Sequence, residues 1–126
     1  MKTKDQMRAA DAWRVISSIK PRGENDREEF KTQVRKMPTR ILASGLGPAL
    51  GFLKAKDICK PLQDAVSQWI THRPADDDRG LLQSIMNEDF QFMRYATEEA
   101  LAYLKWLSRF AEAELKSTVP VAGEQS

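Results

Sequence analysis

The sequence predicts an all-α fold: a single compact bundle of about six helices closed by a long C-terminal helix. Three observations predict it. Apolar residues recur at helical spacing in one segment after another. No stretch alternates apolar and polar residues as a half-buried strand does, so no sheet is expected. Proline and glycine fall between the periodic segments, where chains turn.

The first helix is expected over Lys4–Lys20, with Ala9, Ala12, Trp13, Ile16 and Ile19 on one stripe and Pro21 and Gly23 ending it. Asn25 or Asp26 can cap a second helix, in which Phe30, Val34, Met37 and Ile41 share a face. Pro38 lies inside that pattern and is expected to kink or split it. Gly45 suits a helix C-terminus, because glycine reaches positive φ without steric cost. A short helix is expected from about Pro48 to Lys56, with proline tolerated in its first turn and Gly51 allowing close packing. The next runs from about Ile58 to His72, burying Leu62, Val66, Trp69 and Ile70. "RPADDDRG" reads as a loop and "LLQSIMN" as one or two helical turns. The last helix, from about Glu88 to Lys116, is on the order of 40 Å long at 1.5 Å rise per residue. Its inner stripe is Met93, Ala96, Ala100, Leu104, Leu107, Ala111 and Leu115. The domain therefore spans residues 1–117, and 118–126 are expected to be a flexible tail.

A chain of 126 residues is one domain with room for a core. No apolar run approaches the ~18 residues of a membrane span, and the N-terminal segment lacks the apolar stretch of a secretory signal. The single cysteine, Cys59, has no partner for an internal disulfide. A cytoplasmic location with a reduced thiol is the simplest expectation.

Few residues suggest chemistry. Gly45, Gly47 and Gly51 are spaced G-x-G-x-x-x-G after a helix, whereas dinucleotide binding needs G-x-G-x-x-G after a strand. The P-loop pattern is absent, so helix stop and close packing explain these glycines better. Asp76, Asp77 and Asp78 carry hard-cation ligands, but consecutive loop carboxylates do not converge, and a capping loop is the simpler reading. Glu98 and Glu99 lie about 100° apart on a helix and cannot face each other as an acid pair. Glu112 and Glu114 fail similarly. His72 is the only histidine, which excludes multi-histidine metal sites. Cys59 and His72, thirteen residues apart on one helix, would stand roughly 20 Å from each other. No serine sits in G-x-S-x-G. No catalytic residue, metal or cofactor is expected.

The charges say more. Residues 1–45 carry eleven Lys/Arg against six Asp/Glu, and residues 46–126 carry nine against twelve. A basic half beside an acidic one suits a polyanion on one face and protein or solvent on another. Arg27, Lys31 and Arg35 recur every fourth residue and form a ridge, with Lys36 and Arg40 beside it and Lys54 and Lys56 at the exit of the glycine segment. Such a ridge can follow a phosphate backbone. Asp26, Glu28 and Glu29 dilute its field, and a merely solvated face is the rival explanation. Trp13, Trp69 and Trp106 fall on or beside apolar stripes, so base stacking is not indicated. The helix "PALGFLKAK" is too apolar for a DNA-reading helix.

Four segments, "RAADAWRVISSIK", "REEFKTQVRKMPTRILASGLG", "GLGPALGFLKAK" and "ATEEALAYLKWLSRFAEAEL", resemble the small helical subunit of the type III-B CRISPR (Cmr) effector complex. The resemblance covers about residues 4–116 in order, and the C-terminal block is its most distinctive part. Pro48 departs from it, standing where a glutamine is expected in many relatives. The resemblance implies an all-α, non-catalytic protein used in antiviral defence. It implies copies stacked head to tail as a minor filament, beside backbone subunits that cleave target RNA. It implies as partners the other Cmr subunits, further copies of this chain, and the guide RNA and target RNA, with no membrane. Arg27, Lys31, Arg35, Lys36, Arg40, Lys54 and Lys56 are then the candidate RNA-facing residues. Glu98 and Glu99, if exposed, are a candidate protein interface. A free-standing helical nucleic-acid-binding protein is the alternative.

Overall fold

The computed structural model describes residues 1–74 and 80–116; the aspartate run 76–78 and the expected tail 118–126 lie outside the described residues. Six helices follow one another: α1 (Lys4–Ile19), α2 (Glu24–Ser44), α3 (Leu46–Lys56), α4 (Lys60–Thr71), α5 (Leu81–Asn87) and α6 (Phe90–Glu114). Among the described residues there is no strand. The long C-terminal helix is the organising element. It packs against α1 and α2 and, less extensively, α4 and α3, while α5 rests on α3 and α4.

Local chemistry sets the ends of the helices. Thr3 opens α1 through a capping box: its hydroxyl accepts from the Gln6 N–H, and the Gln6 side chain accepts from the Thr3 N–H. α2 starts at Glu24, not at the expected Asn25 or Asp26, with Gly23 as its unassisted cap. Glu24 and Asp26 in the first turn face the positive end of the helix. Asp89 caps α6 by accepting from the Phe92 N–H at 3.0 Å.

Pro38 does not split α2, which runs unbroken from Glu24 to Ser44. The proline removes the bond to the Val34 carbonyl. Val34, Met37 and Ile41 around it are all buried, and their packing against α3 and α6 offsets that loss.

Gly45 is both the last cap of α2 and the first of α3, at φ 94° and ψ 161°. That region is essentially open to glycine alone. Its N–H donates to the Ile41 carbonyl and its carbonyl accepts from the Ala49 N–H, so one residue reverses the chain without wasting a backbone group. Gly45→Ala is expected to cost about 1–3 kcal/mol, measurable as a lower urea midpoint at unchanged slope. A cost below about 0.5 kcal/mol, within the scatter of ordinary surface substitutions, would show that the turn relaxes elsewhere. α3 begins two residues before the expected Pro48, which leaves the proline in the first turn, where no intrahelical N–H bond is lost. Gly47, not Gly51, is the packing glycine. A Cβ there would stand 3.4 Å from Ile85 of α5, whereas one on Gly51 would meet open space.

Phe30, Ile16, Leu46, Leu53, Leu62, Leu104, Leu107 and Leu115 form the centre of the core. Each such side chain contributes ~1.5–3 kcal/mol by leaving water. The expected stripe of α6 is buried from Ala96 to Leu115, with Met93 only half-buried. α1 departs further from expectation: Val15 is buried, while Trp13 is 48% exposed and rests edge-on against Phe110 at 5.2 Å.

A second row on α6 seats α1. Tyr95 approaches Lys4, Glu99 binds Arg8, the Tyr103 hydroxyl donates to Asp11, Phe110 meets Trp13 and Glu114 pairs with Lys20. The pairs advance together along both helices, so α1 and α6 run parallel. The Trp106 indole N–H also donates to Asp5 at 3.0 Å, which together with Arg8 holds that carboxylate below its ordinary range.

Candidate nucleic-acid interface

The expected cationic ridge on α2 is divided by its surroundings. A step of four residues advances about 40° around a helix, so Arg27, Lys31 and Arg35 drift from the packed edge toward solvent. Arg27 is mostly buried: its guanidinium donates to the Arg22 carbonyl at 2.7 Å and pairs with Glu24. It closes the turn between α1 and α2. Lys31 donates to the Leu115 carbonyl at 3.3 Å and lies 3.4 Å from Glu28. A lysine there satisfies an orphan carbonyl at the end of α6 and offsets its negative pole. Both residues are committed to the scaffold.

Arg35 and Lys36 are exposed, and among the described residues neither has a hydrogen bond or ion pair. Arg35 borders a groove of about 240 Å³ between α2 and α6, shared with Lys31, Ser108 and Glu112. Arg40 lies on the opposite flank of α2. It donates to Gln33 at 2.6 Å and stacks over Phe52 of α3, 4.5 Å from the ring centre. Lys54 and Lys56 are exposed in the last turn of α3, also without a partner among the described residues. Of the seven candidates, those left free among the described residues are therefore Arg35, Lys36, Lys54 and Lys56, with Arg40 held by stacking beside the half-exposed Phe52. No sequence signal linked Arg40 to Phe52, because the Gly45 turn brings them together.

The two acidic candidates separate completely. Glu98 is exposed and lies 3.5 Å from Arg94 of its own helix. Glu99 is 4% exposed, so the condition for an interface residue fails and the side chain is buried instead. Its carboxylate accepts from Arg8 Nε at 2.7 Å and Arg8 Nη2 at 2.8 Å, and from the Trp69 indole N–H at 2.8 Å, with Lys4 3.4 Å away. The Arg8 fork, foremost, holds its pKa down to about 2. Three hydrogen bonds and the Lys4 charge commit this carboxylate to the interior.

Cys59 is buried, and burial pushes its thiol up to about 12, so it stays protonated and unreactive. Among the described residues no three His, Cys, Asp or Glu side chains group as metal ligands. Nor is any helix there long and apolar enough to cross a membrane.

The family and the fold agree with known proteins. The family model for CRISPR-associated protein (Cas_Cmr5) matches residues 4–114. The CRISPR system Cmr subunit Cmr5 of Thermus thermophilus is 30% identical over 116 residues, spanning 90% of this chain and 96% of that protein. A crystal structure of a CRISPR-associated Cmr5 family protein, also from Thermus thermophilus, superposes with a TM-score of 0.78 at 26% identity, covering 91% of this chain and all of that one. A six-helix bundle with a committed scaffold row, a set of free cations and this match over nearly its whole length belongs to the CRISPR-associated Cmr5 family.

Proposed function

We propose that this chain is a non-catalytic structural subunit of a type III-B CRISPR RNA-guided complex, acting in the cytoplasm in antiviral defence. Family membership, and a relative named as a Cmr subunit, support the place in the complex. Copies stack as a minor filament and support the pairing of guide RNA with target RNA. The observation that carries the RNA role is the set of cations unpartnered among the described residues, Arg35 and Lys36 on α2 and Lys54 and Lys56 on α3, with Arg40 held over Phe52 of α3. They face phosphates, while base pairing supplies sequence specificity, the division of labour of RNA-guided effectors. Arg27 and Lys31 hold the scaffold that presents them.

Stacking is supported by two kinds of exposed patch. Leu42 and Phe52 are exposed, with Arg40 stacked over the Phe52 ring. Phe90 and Tyr95 are exposed near the start of α6, with Lys4 over the Tyr95 ring. Two different exposed apolar patches on one chain suit a heterologous contact, which extends into a filament when it does not close.

In the assembled complex, Arg35→Glu with Lys36→Glu is expected to weaken binding of an RNA complementary to the guide. The slope of log affinity against log salt should fall by about 2, one for each lost phosphate contact. Lys31 is left intact because its reversal would also unseat the end of α6. Unchanged binding across salt overturns the RNA role. Tight RNA binding by the isolated chain, with no partner proteins or guide RNA co-purifying from the native host, favours a free-standing nucleic-acid-binding protein instead.

A further inference from the structure

Two clefts meet at the first turn of α4. One, of about 320 Å³, lies between α1 and α4 and is lined by Arg14, Arg22, Lys60, Asp64 and Gln68 among others. The other, of about 500 Å³, lies between the end of α3, α4 and the start of α5, with Lys54, Asp57, Lys60 and Asp64 on its wall. Lys60 and Asp64 belong to both, so they form the divide between two adjacent concavities.

The cations here are available. Arg22 and Lys54 have no side-chain hydrogen bond or ion pair among the described residues. Arg14 reaches only Asp11, at 3.2 Å, and is itself 60% exposed. Lys60 holds Asp64 at 2.9 Å but is 71% exposed. Exposed pairs of this kind contribute little, so a stronger anion displaces them easily. The surplus of positive charge lies in the α1–α4 cleft, where Arg14, Arg22 and Lys60 stand against Asp64 on the wall and Asp11 behind Arg14, whereas in the second cleft Lys54 and Lys60 balance Asp57 and Asp64. Concavity focuses that field.

We propose that Arg14, Arg22 and Lys60 form a second track for nucleic-acid backbone phosphates, distinct from the α2 face and joined to the first set of cations through Lys54, which lines the neighbouring cleft. It rests on the RNA-supporting role proposed above and deepens it by naming a further contact surface. The arginine forks take phosphate oxygens in pairs and the lysines act as point charges. The Gln68 amide on the same wall offers a neutral hydrogen-bonding group to the sugar. A protein partner fits these clefts poorly. Protein interfaces are anchored by exposed aromatic or large aliphatic side chains. The exposed ones here, such as Trp13, Leu42, Phe52, Met86 and Phe90, all lie outside both clefts.

The test uses the reconstituted complex, its guide, and a labelled RNA complementary to that guide. Arg22→Ala with Lys60→Ala is compared with Arg35→Ala and Lys36→Ala. Both cleft residues are exposed, and an unchanged melting temperature of the free chain confirms the fold. The cleft pair is expected to weaken binding on the order of tenfold at low salt and to lower the salt slope by about 2. Arginine in place of alanine at position 60 should recover about half of that slope, and added Lys54→Ala should lower it by about 1 more. If the cleft pair binds as wild type while the α2 pair weakens, the second track is overturned and the RNA role stands. If neither pair changes binding, both fall. If the cleft pair instead reduces incorporation of the subunit, with the salt slope unchanged, the surface binds acidic protein and the proposal fails.

Discussion

Glu99→Ala is expected to destabilise the protein by about 3 kcal/mol at neutral pH, lowering the melting temperature by roughly 10 °C. The substitution leaves the Arg8 guanidinium facing an empty, mostly dry seam and the Trp69 indole N–H without its acceptor. An unpaired buried charge costs about 3–5 kcal/mol. Arg8 retains Asp5 at 3.1 Å and is 18% exposed, which places the cost at the lower end of that range.

Its pH dependence distinguishes this carboxylate from a generic packing residue. Glu99 is held at about 2 in the folded chain against an ordinary 4.5. A depressed carboxylate contributes stability above its unfolded value and loses it as pH falls through its folded value. The contribution, about 3 kcal/mol, is therefore nearly complete above pH ~5, mostly lost by pH ~2 and gone near pH ~1. Glu99→Gln keeps the shape and an acceptor for Trp69 but not the charge. Urea unfolding of the wild type and this variant should differ most above pH ~5 and converge toward pH ~2. A difference that stays constant over that range would remove the ion pair as its cause.

The reason Glu99 reads as surface in the sequence is general. Its neighbours in the chain, Glu98 and Ala100, say nothing about Arg8, ninety-one residues away, or Trp69, thirty residues away. Helical periodicity is a local signal, and it placed the core face of α2, the buried stripe of α6 from Ala96 onward and, apart from the partly buried Trp69, the core face of α4. The row 99, 103, 110 and 114, which seats α1, mixes Glu, Tyr and Phe and has no apolar signature. Its meaning appears only when the first and last helices lie parallel. The α2 cations were visible as a ridge for the same reason that their division was not. Spacing shows which residues share a face, whereas the carbonyls that occupy Arg27 and Lys31 come from the turn before α2 and the end of α6. The clefts beside α4 join Arg14 and Arg22 to Lys54 and Lys60 across three helices, beyond the reach of any spacing rule. Family resemblance, by contrast, was carried by long contiguous blocks and did not depend on knowing any of these contacts.

Tyr103→Ala is expected to cost about 4–5 kcal/mol, close to the whole stability of a marginal domain. The ring is fully buried and stacked on Trp69, with centroids 5.3 Å apart and planes within 9° of parallel. Its hydroxyl donates to Asp11 Oδ2 at 2.6 Å. Burial and the Asp11 carboxylate both push the phenol's ionisation upward, so it stays a donor throughout the physiological range. Tyr103→Phe separates the two parts. It keeps the ring and loses one bond to a charged acceptor, about 1.5 kcal/mol, because Asp11 is still served by Arg14 and is partly exposed. The remaining cost of the alanine variant is the cavity. Equilibrium unfolding of both variants tests this division, and an alanine variant losing under about 2 kcal/mol would mean that the seam collapses to fill the space. Trp69 touches Tyr103 by stacking and Glu99 by its N–H, so Tyr103→Ala and Glu99→Gln should not be additive; a coupling of about 0.5 kcal/mol or more is expected. Full additivity would show that the two anchors hold α1 independently. The same seam reaches the proposed RNA surface, because Tyr103 orients Asp11 and Asp11 holds Arg14 at the rim of the α1–α4 cleft.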